Sequence, residues 1–288
     1  MKMLQILHVC LLGAGLVFGS CAKEDDPSAQ SLIDGRTKPM QEGVWEMIPE
    51  LSDEFDGTSL DPEKWLDYHP YWEGRSPSKF VRENVKVEDG FLKLIASYDP
   101  DDYKIWINSA CVTSKEESCD YGYYEARIKV HKLSLSGSFW FQNEAHPETN
   151  YDQLEIDYEN VGDSKLYQQH SYASMITLHW GQRWGENSYT VWDPYGEDKK
   201  CSDDFFIYGV EYSRDAIKMF INNRLVKVYD TQGPFTHKMY MFFDIEAFDW
   251  EGLPDVEELS WPEEKRTMYV DWVRSYRRVD ADAQTIGQ

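Results

Sequence analysis

From Trp45 onward the chain is built of short apolar segments broken by turn residues, the rhythm of strands rather than the 3.6-residue stripe of helices. Asn84-Val85-Lys86-Val87 runs into Glu88-Asp89-Gly90, Phe91 to Ile95 follows, and Tyr123 to Val130 repeats the pattern. Ala216 to Ile221 and Arg224 to Val228 flank Asn222-Asn223, a dipeptide suited to a two-residue hairpin turn. No helical stretch of any length is legible beyond the N-terminal apolar run. Strands this short and numerous predict an all-β, antiparallel sandwich. A length of 288 residues accommodates one large β domain or two smaller ones.

One strand pattern carries chemistry. In Gln153-Leu154-Glu155-Ile156-Asp157-Tyr158-Glu159-Asn160 carboxylates alternate with apolar residues. Alternation puts Glu155, Asp157 and Glu159 on one face and Leu154, Ile156 and Tyr158 on the other. Crowded like charges cost stability, and glycoside hydrolysis is a chemistry that needs carboxyl groups whose environments push their pKa values apart. A solvated acidic face or a cation site would show the same spacing.

The segment resembles the E-x-D-x-E signature of glycoside hydrolase family 16. Tyr121-Gly122-Tyr123-Tyr124-Glu125-Ala126-Arg127 and Ser136 to Phe141 precede it in the order found there, and Phe206 to Tyr212 and Met268 to Arg274 are similar to later core strands. The resemblance covers roughly Trp45 to Arg278 and implies a β-jelly roll whose concave face forms a substrate cleft. It also implies a retaining mechanism, with Glu155 as nucleophile, Glu159 as acid/base and Asp157 between them. Many agar- and carrageenan-cleaving relatives insert one residue before the acid, with a bulge in the strand. In that register the acid would fall on Asn160, so the unbulged form is expected.

Further residues are candidate sugar contacts. Tyr71 to Ser78 resembles a W-x-G-R-x-P loop of agarases and porphyranases, placing Trp72 beside Arg75, an aromatic plate next to a guanidinium fork. The alternative for Arg75 is a pairing with Glu73 or Glu83. Trp140 is expected in the cleft floor with Phe139 in the core, and His179, Trp180 and Arg183 as a further wall. His170 and His179 flank a strand-like run from Ser171 to Leu178, and a lone His is more often structural than a ligand. Asp244, Glu246, Asp249 and Glu251 are read as a solvated loop, with structural calcium as the alternative; no cofactor and no catalytic metal are expected.

Composition narrows the partners. Against 29 basic residues stand 52 acidic ones, a net charge of -23, which repels nucleic acid and anionic membrane. The 11 Trp and 19 Tyr serve cores and sugar platforms alike. Residues 1–20, with an apolar run from Leu4 to Phe18, read as a signal peptide too short to span a membrane permanently. Cys21 stands where a bacterial lipoprotein carries its lipid, and Ala22-Lys23-Glu24-Asp25-Asp26 resembles the acidic export tract of Bacteroidetes surface lipoproteins. The expected layout is a tether over 21–43, a catalytic domain over 44–279 and a tail over 280–288. The expected protein is a monomer on the outer-membrane surface, with a periplasmic or secreted form as the alternative. Cys111 and Cys119 are spaced for a disulfide across a hairpin; three buried thiols, with Cys201, are the other reading.

The sequence therefore predicts an endo-acting hydrolase of β-linked red-algal galactan, porphyran or agarose. A β-1,3 or β-1,3-1,4 glucanase and a carrageenan-type galactanase are the enzymatic alternatives. A noncatalytic glycan-binding lipoprotein is the alternative from another class.

Overall fold

The computed structural model describes residues 43–144, 153–181, 186–195, 198–230, 235–280 and 283–286. The expected signal peptide, Cys21, nearly all of the tether and Arg183 lie outside them. Among the described residues there is no α-helix, and short 3-10 turns are the only helical elements.

Two large antiparallel sheets pack face to face. The inner sheet runs, edge to edge, Asn187–Pro194, Ala173–Gly181, Gln153–Val161, Ser136–Gln142, Tyr240–Glu246, Cys111–Ser114 and Trp65–Leu66. In the outer sheet the order is Arg224–Asp230, Ala216–Ile221, Phe206–Tyr212, Gly122–Lys129, Thr267–Arg278, Phe91–Ile95 and Val85–Glu88, with Trp45–Met47 also paired to Thr267–Arg278. First and last strands therefore pair, closing the described domain on itself. Ser78–Phe80, Ile107–Ser109 and Ser97–Tyr98 form a small third sheet beside the cleft.

Alternation divides every central strand between two environments. Leu154, Ile156 and Tyr158 join Phe139, Phe141 and Phe243 in the core, meeting Tyr124, Ala126 and Tyr208 of the outer sheet. Burying such side chains contributes about 1.5–3 kcal/mol each. Tyr158 does more than pack: its hydroxyl donates to Gly209 O at 2.7 Å and accepts from Phe220 N at 2.7 Å. The acidic strand is thus bolted from behind to the outer sheet, between two of its carboxylates. The Asn222-Asn223 turn forms as expected, with φ of 48° and 63° at its two residues, the left-handed pair that a tight hairpin requires.

The cysteines are a correction to the disulfide reading. Cys111, Cys119 and Cys201 are all free and buried. Cys111 lies under Trp140 and Phe242 on the cleft side of the inner sheet, whereas Cys119 belongs to the main core. Packing sets the two thiols on different sides of the sheet.

Candidate active site

The acidic strand lies near the middle of the inner sheet, and its register is continuous with both neighbours. Glu155 stands between Gln142 and His179, Asp157 between Trp140 and Thr177, and Glu159 between Ser138 and Met175. No bulge interrupts it, so Glu159 shares the cleft face with the other two and Asn160 turns away, its amide donating to Gly137 O. A cavity of about 710 Å³ opens over this face, with Glu155, Asp157 and Glu159 in its lining.

Desolvation dominates the electrostatics. Burial, reinforced by the charge of Glu246, pushes Glu155 up to about 7, while side-chain amides of Gln153 and Gln142 that donate to its Oε2 oppose the rise. Asp157 is raised well above the usual carboxylate range by burial and then by Glu155 and Glu159 on either side. Glu159, the most exposed of the three, is also raised well above that range, by desolvation and by Glu246 and Glu155, with Arg75 opposing. The three carboxyls therefore share protons instead of ionising independently. His179 adds no cation at neutral pH, because burial lowers its pKa; its Nε2 lies 3.8 Å from Glu155 Oε1 and 3.7 Å from Asp157 Oδ2. Glu155, Asp157 and His179 hold their ligand atoms within 4.8 Å of one another, the spacing of a possible cation site, but the same closeness serves proton exchange.

A second acidic strand overturns the solvated-loop reading of Asp244 and Glu246. Both are buried on Tyr240–Glu246 and face the cleft, Asp244 directly across from Ser138. Asp244 accepts the indole N–H of Trp140 at 3.0 Å, and Glu246 Oε2 receives Arg75 Nε at 2.7 Å. Arg75 thus pairs with Glu246, not with Glu73 or Glu83. Its guanidinium carbon lies 5.8 Å from the Trp72 ring, 5.4 Å from Phe248 and 5.6 Å from Trp250, an aromatic cage around one cation. Glu251 is likewise no solvated residue: it is 1% exposed and takes Ser164 Oγ at 2.6 Å and His170 Nδ1 at 2.7 Å. The signal that marks Asp244 and Glu246 is present in Met241-Phe242-Phe243-Asp244-Ile245-Glu246, the same apolar and acidic alternation as the first acidic strand.

Trp140 occupies the floor as expected, stacked on Phe242 at 4.2 Å and 20°, with Phe139 on the core side. His69, which sequence patterning left unmarked, extends this stack, its ring 4.6 Å from Phe242 and 5.7 Å from Trp140. Burial lowers its pKa to about 3, so it faces the cleft as a neutral imidazole. Trp180 is a correction. It is the next residue after His179 on one strand, so alternation turns it away from the cleft to pack against the core.

A concave β-sheet with proton-sharing carboxylates at its centre, floored by stacked rings and edged by a caged arginine, defines a glycoside hydrolase of the polysaccharide-cleft class. The sequence family described as Beta-porphyranase A-D, GH16 domain, matches residues 45–278. Beta-porphyranase D of Zobellia galactanivorans is 34% identical over 96% of this chain and 72% of its own length. Beta-porphyranase E of the same organism is 33% identical over 83% of this chain and 90% of its own length. The crystal structure of porphyranase B from Zobellia galactanivorans superposes with a TM-score of 0.73 at 27% identity, covering 82% of this chain and 94% of that one. The chain belongs to glycoside hydrolase family 16, in the group of the β-porphyranases A–D.

Proposed function

We propose that the protein is an endo-acting β-galactanase that hydrolyses porphyran with retention of configuration. The observation that carries the substrate choice is Arg75. Its Nε is spent on Glu246, while its Nη1 and Nη2 have no hydrogen-bond partner among the described residues. A guanidinium held by one carboxylate and three rings, with its outer nitrogens open to the cleft, suits a sulfate ester on a galactose-type ring. The names of the relatives point the same way.

Glu155 is the nucleophile in this reading. Its carboxylate attacks the anomeric carbon while Glu159 gives its proton to the glycosidic oxygen, so the leaving chain departs with its hydroxyl restored and a glycosyl ester remains on Glu155. Glu159, now ionised, takes a proton from water, and the resulting oxygen attacks the same carbon and frees Glu155. The raised proton affinity of Glu159 suits an acid, and the two amides that donate to Glu155 Oε2 suit a nucleophile that must be ionised. Asp157, carrying its own high proton affinity between them, keeps the pair apart in charge. Gln142 and Gln153 hold the nucleophile in place through its Oε2.

The test is a substrate series of porphyran, agarose, carrageenans, laminarin and mixed-linkage glucan, run with the wild type and Arg75→Met. Porphyran cleavage with the anomeric configuration retained, and a loss in Arg75→Met of about 10- to 100-fold on porphyran but much less on agarose, is the expected result. Cleavage of glucan alone, or equal losses on sulfated and unsulfated polymers, would remove the sulfate reading. Export as a Cys21-lipidated surface protein is part of the same proposal and rests on the N-terminal sequence; Cys21→Ala should release the protein from the membrane fraction.

A further inference from the structure

The cleft has two arms, one on each side of the acidic strand. Arg75, Trp72 and Trp140 line one of them, and Met175, Thr177 and Thr190 line the other. Along the second arm the register leads outward from the reacting centre: Met175 is the cross-strand neighbour of Glu159, and Trp192 is the cross-strand neighbour of Met175. Directly paired side chains share a face, so Trp192 projects from the concave side two strand spacings from Glu159, about 10 Å away. That is the reach of a disaccharide.

Trp192 is not there to fill the core. Val191 beside it packs against the main apolar cluster, and Trp192 belongs to no such cluster. One face of its indole is covered instead by the imidazole of His170, with ring centroids 3.8 Å apart and planes 17° from parallel. His170 is fixed in turn by Glu251, Nδ1 to Oε1 at 2.7 Å, and the second oxygen of Glu251 is held by Ser164 Oγ at 2.6 Å. The half-buried Trp192 keeps part of its surface open, and its indole N–H has no partner among the described residues. A ring covered on one face by a fixed imidazole, partly exposed elsewhere and carrying a free donor is an aromatic plate that loses little conformational entropy on meeting a sugar.

We propose that Trp192, backed by His170, is a sugar-stacking subsite for the β-linked galactan chain, at the end of the cleft opposite Arg75. The proposal rests on the galactanase reading and adds a second, uncharged point of purchase to it. Glu251 gives the two ends a common anchor. It holds the His170 backing plate, and its peptide is part of the Asp249–Glu251 turn that carries Trp250 against Arg75.

The experiment compares the wild type, Trp192→Ala and Trp192→Phe on purified porphyran oligosaccharides of increasing length and on the polymer. Trp192→Ala should raise KM about 3- to 10-fold on chains long enough to span the arm, the size of one aromatic stacking contact, and leave kcat and the rate on the shortest cleaved oligosaccharide unchanged. Trp192→Phe should recover most of the loss. Equal impairment at every chain length, or none at any length, would overturn the subsite even with galactanase activity intact. If the wild type cleaves no galactan at all, the functional reading fails first and takes the subsite with it, a result distinct from either.

Discussion

Two strands of the inner sheet carry the same apolar and acidic alternation, and the structure uses them differently. On Gln153–Val161 burial and the neighbouring carboxyls raise the proton affinities together, against the amides that donate to Glu155. On Tyr240–Glu246, Asp244 takes an indole N–H and Glu246 takes the Arg75 guanidinium, which pulls against the rise that burial imposes. Burial raises Asp244 and Glu246 too, Asp244 well above the usual carboxylate range, but Glu246 alone among these five carboxyls holds a guanidinium by hydrogen bond, and that contact positions Arg75. What separates the two strands is the partner of each carboxyl, not the pattern.

The largest expected effect breaks that comparison at its centre. Glu155→Gln should lower kcat on porphyran by about 10⁴-fold or more, the scale of losing one member of a concerted set, with the fold retained. Glu246→Gln should lower kcat/KM by only about 10- to 100-fold, through a displaced Arg75. Initial rates alongside thermal melts separate the two; equal losses would erase the distinction between the strands.

A middle-sized effect concerns pH. Glu155 is raised from 4.5 to about 7 in the folded state, so the folded protein binds its proton more tightly than the unfolded chain does. Its contribution to stability is therefore full below about pH 4.5 and is lost as pH rises through about 7. Denaturant melts from pH 4 to pH 8 should show a fall that is shallower in Glu155→Gln. Activity should rise over the same range as Glu155 ionises, then decline as Glu159 loses its proton. A flat stability profile in the wild type would show that burial does not raise the proton affinity of Glu155.

The smallest effect sharpens the contrast between adjacent residues of one strand. His179→Ala, on the cleft side, should lower kcat/KM by about 10-fold. Trp180→Ala, on the core side, should cost about 1–3 kcal/mol of stability while leaving kcat/KM within about threefold of the wild type. Parallel rate assays and urea melts check both, and an activity loss in Trp180→Ala matching that of His179→Ala would place Trp180 in the cleft after all.

Much of the fold was legible because it depends on local periodicity. The alternation in Leu154 to Glu159 sets the cleft and core faces, and Asn222-Asn223 places a hairpin turn, before any long-range contact is known. The same rule separates Phe139 from Trp140 correctly. It also separates His179 from Trp180, since neighbours on a strand face opposite ways and cannot form one wall. Asp244 and Glu246 are harder to read in sequence for a related reason: next to Asp249 and Glu251 they look like one acidic run, when the first two end a strand and the last two sit in a turn.

The sequence by itself determined the all-β architecture, the trio of carboxylates on one face and the family, since each follows from residue order along single strands. The tertiary structure alone decided which partners those carboxylates meet. Arg75 reaches Glu246 across 171 positions of chain, and His170 reaches Glu251 across 81, distances at which local pattern carries no information. Desolvation and ion pairing depend on what surrounds a group in space. Proton affinity, and with it the division of labour between the two acidic strands, could therefore be read only after the chain had folded.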